Sequence, residues 1–223
     1  QAPANYGLNP TVFTADIEFA GQVVKLNVTD PVITAGVSIK KTGYAQTMNN
    51  NIMRWTVSGV RNDSTTSLQS FYWRDTLPTD AVRLTRLVTG TYSTTQTYKV
   101  TFTTNLNSQW RTAYDNLSTA KNYTLDMSSA ALGLASNEYV TQFMLSFGIV
   151  PAGFHQLTNA TVDAQTLYAL TNGYKFTNKA DVGGLLGGNW VQSIARWTTS
   201  IYSHYVPAKP AAPKSPTLPR TGY

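Results

Sequence analysis

An all-β fold, a sandwich of antiparallel sheets, is what this sequence predicts, and three observations predict it. Thirteen Tyr, eight Phe and five Trp accompany many Thr, Val and Asn, a mix that suits pleated strands joined by polar turns. Apolar and polar residues alternate with a period of two in about ten separate runs, and no long helical stripe interrupts them. Gly, Asn, Ser and Pro clusters separate the runs.

Taken in order, residues 1–10 (QAPANYGLNP) carry no periodic pattern. Residues 11–28 alternate in two patches about Ala20-Gly21 and read as a hairpin too small to fold alone. Asp30-Pro31 marks a turn or boundary, so residues 1–31 are lead-in strands, part of the main domain or the end of a preceding one, and a main domain over residues 32–205 follows. It opens with VITAGVSIKKTGYA, where Ala35, Val37, Ile39 and Lys41 share one face and a lysine takes a core position. Adjacent Lys40 keeps the phase open by one residue, because a bulge would send it inward instead. In NIMRWTVSGV, Met53, Trp55 and Val57 oppose Ile52, Arg54 and Thr56; in LQSFYWRD, Phe71, Trp73 and Asp75 share a face.

Further strands are expected over 82–87, 97–104, 122–126, 139–149, 174–182 and 191–205, with Phe176, Asn178 and Ala180 in one phase. Residues 128–135 and 163–170 are expected as short helices, and the Gly183–Gly188 run as a hairpin connection. That run lacks the Lys-Ser/Thr ending of a phosphate loop. From Pro207 the composition (PAKPAAPKSPTLPRTGY) predicts an extended, polyproline-like spacer, so residues 206–223 form a tether.

Composition narrows the function. The chain has no Cys, which excludes disulfides, thiol catalysis and thiolate zinc sites. Its two His, His155 and His204, are too far apart for a local metal motif, so no metal or cofactor is expected. Seventeen basic against eleven acidic residues give a net charge of +6, but no basic run exceeds Lys40-Lys41. Nucleic acid is therefore not an expected partner, and the charge is compatible with an anionic wall polymer. The acidic residues suggest neither a calcium loop nor a glycosidase pair, and no enzyme is expected. Trp55 and Trp73 fall in core phases; Trp110 and Trp190 lie near turns and are the candidates for exposed binding contacts.

Near the end of the spacer, Leu218, Pro219, Arg220, Thr221 and Gly222 resemble the LPxTG sorting pentapeptide of Gram-positive surface proteins. The resemblance implies a sortase as partner, cleavage between Thr221 and Gly222, and anchoring outside the cell to peptidoglycan or a neighbouring pilin subunit. It also implies a trimmed segment of a longer chain. If the chain polymerises, Lys25, Lys209 or Lys214 could accept the next subunit's Thr, and an ordinary solvated lysine is the simpler reading of each.

VSIKKTGYA, RWTVSGVRNDSTTSLQSFYWRDTLP and YKFTNKADVGG resemble the repeat domains of Gram-positive surface and backbone-pilin-like proteins. An immunoglobulin-like, Cna-like or pilin-like sandwich with a longer middle section, residues 89–154, is what that resemblance implies. Some such domains carry a spontaneous Lys–Asn isopeptide bond assisted by a buried acid; carried over, these are Lys41, Asn178 and Asp75. Plainer readings remain: turn hydrogen bonds at Asp75, a bulge cap at Asn178, a snorkelling Lys41, or a buried Lys41–Asp75 salt bridge without the bond. The functions implied are a wall-anchored stalk or pilin-like unit, or an adhesin module binding a host glycoprotein or carbohydrate.

Overall fold

The alternating runs become strands throughout, and no described residue is helical. The computed structural model describes residues 5–6, 12–19, 22–29, 32–44, 46–48, 52–78 and 80–202. At the start lie β1 (Asn5–Tyr6), β2 (Val12–Phe19), β3 (Gln22–Thr29) and β4 (Val32–Ile33). β1 pairs with β4, and β2 with β3 as the expected hairpin, each as a separate two-stranded sheet.

Next come β5 (Val37–Thr42), β6 (Gln46–Met48), β7 (Ile52–Asn62), β8 (Leu68–Thr76), β9 (Val82–Val88), β10 (Thr91–Tyr92) and β11 (Thr97–Thr104). The rest are β12 (Arg111–Ser118), β13 (Thr124–Asp126), β14 (Val140–Val150), β15 (Gln156–Thr158), β16 (Ala160–Thr166), β17 (Lys175–Leu186) and β18 (Asn189–Tyr202). One sheet has the order β12-β11-β14-β8-β17-β18-β6, the other β13-β9-β16-β7-β5. Within both, every pairing is antiparallel except β18 with β6.

The period-two pattern explains the layering. On β7, Met53, Trp55 and Val57 are buried, while the alternate residues Ile52 and Arg54 are exposed. Phe71 and Trp73 of β8 face the same interior; an aromatic edge joins the layers where Trp55 meets Phe176 at 6.4 Å, and Phe71 meets Phe154, just beyond β14, at 5.2 Å. Such contacts add roughly 0.5–1.5 kcal/mol each beyond area burial. Trp73 Nε1 donates to Tyr92 Oη at 2.8 Å and that hydroxyl donates to Thr89 O at 2.9 Å, so the polar ends of two buried rings are satisfied.

Three expectations are corrected. Residues 128–135 form turns, capped where Ser128 N donates to Asp126 Oδ1. Residues 163–170 begin as the central strand β16, whose Val162 and Ala164 enter the core, and leave it as an irregular segment. On β16 the charge of Asp163 is met by arginines from β7 and β9, which local spacing does not reveal. The hairpin connection shrinks to Gly187-Gly188, both at positive φ, while Gly183 and Gly184 lie inside β17.

Candidate functional site

Lys41 reaches the core because β5 is irregular one step earlier. Its register against β7 shifts between Ser38 and Lys40, opposite Gly59 at φ 62°, and Lys40 extends over that glycine, exposed, while Lys41 turns inward. The phase left open by sequence therefore falls to Lys41. Its side chain and that of Asp75 are both fully buried, and Lys41 Nζ donates to Asp75 Oδ2. Asp75 pairs with Ala180 in the β8–β17 register, which brings Asn178, also fully buried, to the same part of β17.

The site is closed off from the surface, and polar groups in it are left over. Asp75 Oδ1 and both amide atoms of Asn178 have no hydrogen-bond partner of ordinary geometry. The Trp55 ring centroid lies 5.8 Å from Lys41 Nζ, and Trp55 packs in turn on Phe176, two residues from Asn178. Burial lowers the Lys41 pKa against the opposing pull of Asp75. Burial likewise raises the Asp75 pKa, against the nearby Lys41 ammonium and the Asn178 amide, close enough to act on the carboxyl. Both shifts favour the neutral pair, an amine beside a carboxylic acid, next to a carboxamide.

Trp110 and Trp190 come together on the outer face of the seven-stranded sheet, lining one trough with a volume of about 690 Å³. They are 39% and 55% exposed, against 1% or less for Trp55 and Trp73. Trp190 stands near the start of β18 and Trp110 just before β12, so the trough crosses the strands. Gly183 shapes it: a Cβ there would lie 2.9 Å from the Tyr72 ring, and its absence lets Tyr72 lean over β17 to meet Trp190 edge-on at 5.9 Å. Tyr72 Oη donates to Asp181 at 3.0 Å and accepts from Gln192 at 2.6 Å; Arg74 binds Asp181 in bidentate fashion, both bonds 2.9 Å. Sequence reasoning missed this Tyr72–Arg74–Asp181–Gln192 wall, whose only trace was the outward phase of Tyr72 and Arg74.

His155 Nδ1 lies 2.8 Å from Gly153 O, and His155 enters no ion pair among the described residues. No group of metal-ligating side chains occurs among the described residues. Lys25 stands on β3 opposite Asp16. The sorting motif Leu218–Gly222, His204, Lys209 and Lys214 lie outside the described residues.

No family model matches the chain, and no curated protein matches it. Among solved structures, it is similar to domains D2 and D3 of the major pilin SpaD from Corynebacterium diphtheriae, at 13% identity and a TM-score of 0.40, over 73% of this chain and 52% of that one. It is similar to the C-terminal domain of the Streptococcus agalactiae AgI/II polypeptide BspA, at 12% identity and 0.36, over 81% and 55%. The collagen-binding domain of a Staphylococcus aureus adhesin is similar at 12% and 0.35, over 73% and 96%. The chain spans about half the length of the first two.

Proposed function

We propose that this chain is a non-enzymatic, extracellular structural module, a stalk or pilin-like unit tied to the cell wall or a pilus by sortase at Thr221. One observation supports the reading: Lys41, Asp75 and Asn178, from three strands of two sheets, converge in the buried layer between the sheets with polar atoms unspent. In that setting the neutral Lys41 Nζ attacks Cγ of Asn178. The Asp75 carboxyl hydrogen-bonds the amide oxygen as it gains charge. The proton from Nζ passes through Asp75 to the departing nitrogen, and ammonia leaves as the Nζ–Cγ bond forms. Packing of β5 against β17 supplies the proximity, and each molecule reacts once. Residues 32–205 are the reacting domain, residues 1–31 its lead-in, and residues 206–223 the tether.

Intact mass tests it. The folded protein is expected about 17 Da lighter than its sequence, one ammonia, and Lys41→Ala, Asp75→Ala and Asn178→Ala each at full mass. A wild-type chain at full mass ends the crosslinking reading. Sorting is tested separately by incubation with a sortase and a glycine amine, with Thr221→Ala expected to give no conjugate.

The trough between Trp110 and Trp190 favours a second reading, an adhesin module that binds a host glycoprotein or carbohydrate. The wild-type chain is then expected to bind immobilised extracellular glycoproteins, and the double variant Trp110→Ala/Trp190→Ala to bind none.

A further inference from the structure

We propose that the trough on the outer face of the seven-stranded sheet is a binding site for a neutral, linear glycan; this rests on the second reading above and names its ligand class. Length is the first argument. Trp110 precedes β12 and Trp190 belongs to β18, with β11, β14, β8 and β17 between those strands, so a ligand touching both tryptophans crosses several strands and is an extended chain rather than a single ring. The cavity of about 690 Å³ is the right size for a segment of such a chain.

Shape is the second. The floor is built from small residues, Ser70, Ser146 and Gly148 of β8 and β14, with Gly183 of β17 beside them. Ser70 and Gly148 sit at positive φ, 49° and 73°, and the β8–β14 register shifts between Ser146 and Gly148. A bulge there bends the sheet into a concavity. A globular partner needs a broad face of roughly 800 Å² on each side, which a narrow concavity does not offer. A peptide strand needs a free sheet edge for its backbone, and the floor is a sheet face whose amides already pair with neighbouring strands.

Charge is the third. Arg74 is neutralised by its bidentate carboxylate, Asp181, and the trough's other charges are one Lys99 and one Asp115. A trough with no net charge has no use for a polyanion. What it presents is two exposed indole faces at the ends, with hydroxyls and an amide between them: Thr97, Ser146, Tyr72 and Gln192. Flat apolar plates flanked by neutral donors and acceptors match pyranose rings, whose faces are C–H and whose edges are hydroxyl.

The test is calorimetric titration of the intact chain with β-1,4-linked glucose and N-acetylglucosamine oligomers from dimer to hexamer, and with long-chain polyphosphate. Tryptophan emission is read in parallel. The expected result is binding that tightens with length for at least one neutral series, with a blue shift in emission. Trp110→Ala and Trp190→Ala are each expected to weaken the hexamer by about tenfold, and Trp→Phe at either position to restore part of it. Leu157→Ala, an exposed apolar residue outside the trough, is expected to leave binding unchanged. Binding of polyphosphate but of neither neutral series overturns the proposal, and so does hexamer binding that survives both Trp→Ala changes. Should glycoprotein binding persist while both hexamers fail, the glycan inference alone falls; should both fail, the second reading falls with it.

Discussion

Asp75 and Asp163 are both buried carboxylates facing cations, yet they live under opposite rules. Asp75 lies in the layer between the sheets, with one ammonium on one oxygen and no partner on the other. Asp163 lies on the outer face of the five-stranded sheet, where Arg54 and Arg86 give it four hydrogen bonds of 2.6–2.9 Å. Burial alone would raise the Asp163 carboxyl, but the hydrogen bonds and charges of the two arginines outweigh it and hold the group below its ordinary value. The arginines do this cheaply because about half of each side chain stays in water. Lys41 has no such outlet, so its pairing with Asp75 leaves both groups drifting toward neutrality. A carboxylate on the outer face is held in its charged form; one in the inner layer is pushed toward its neutral form.

The largest way to break this contrast is Lys41→Met. It removes the nucleophile and leaves the Asp75 carboxyl without its cation, and a stability loss of about 4–5 kcal/mol is expected, the loop-entropy worth of a crosslink between such distant residues. Urea denaturation of the variant against wild type measures it. Asp163→Asn should cost less, about 1–2 kcal/mol, because the two guanidiniums it releases can hydrate.

The two sites should also tilt stability against pH in opposite senses. The folded pKa of Asp75 is raised, so the stability it lends is complete below the ordinary carboxylate value of 3.8 and is lost as pH rises through the folded value. The folded pKa of Asp163 is lowered, so its contribution is present above 3.8 and is lost as pH falls through the folded value. Denaturation midpoints taken from acid to neutral pH should thus rise more steeply for Asp75→Asn than for wild type, and less steeply for Asp163→Asn. Changes in slope of the same sign relative to wild type for both variants would erase the distinction. The smallest change is expected at the exposed Arg61–Asp63 pair, where Asp63→Asn should move stability by no more than about 0.5 kcal/mol.

The inner site was legible in the sequence because strand phase is local. Phe71, Trp73 and Asp75 alternate with outward residues, as do Phe176, Asn178 and Ala180, and those patterns survive folding unchanged. One strand's limits were legible for the same reason: the run over 97–104 coincides with β11. Features whose cause lies on another strand were not. Residues 163–170 were read as a helix, and the arginines that settle Asp163 on β16 are remote in sequence. β12 was missed because its register on β11 breaks twice and Asn116 takes a φ of 54°, which blurs alternation on an edge strand. Gly183 and Gly184 read as loop because only the ring of Tyr72 and the side chain of Leu68 explain why glycine belongs in that strand.

The antiparallel pairing of β17 with β18 runs unbroken from Lys175–Ser200 to Leu186–Asn189. Tension applied at Tyr202 along the strand axis would therefore load this ladder in shear, all rungs at once, rather than peeling it open rung by rung. Trp190 stands at the far end of the same strand, which makes β18 a continuous rod between the point where a pull would arrive and the trough that would hold a ligand.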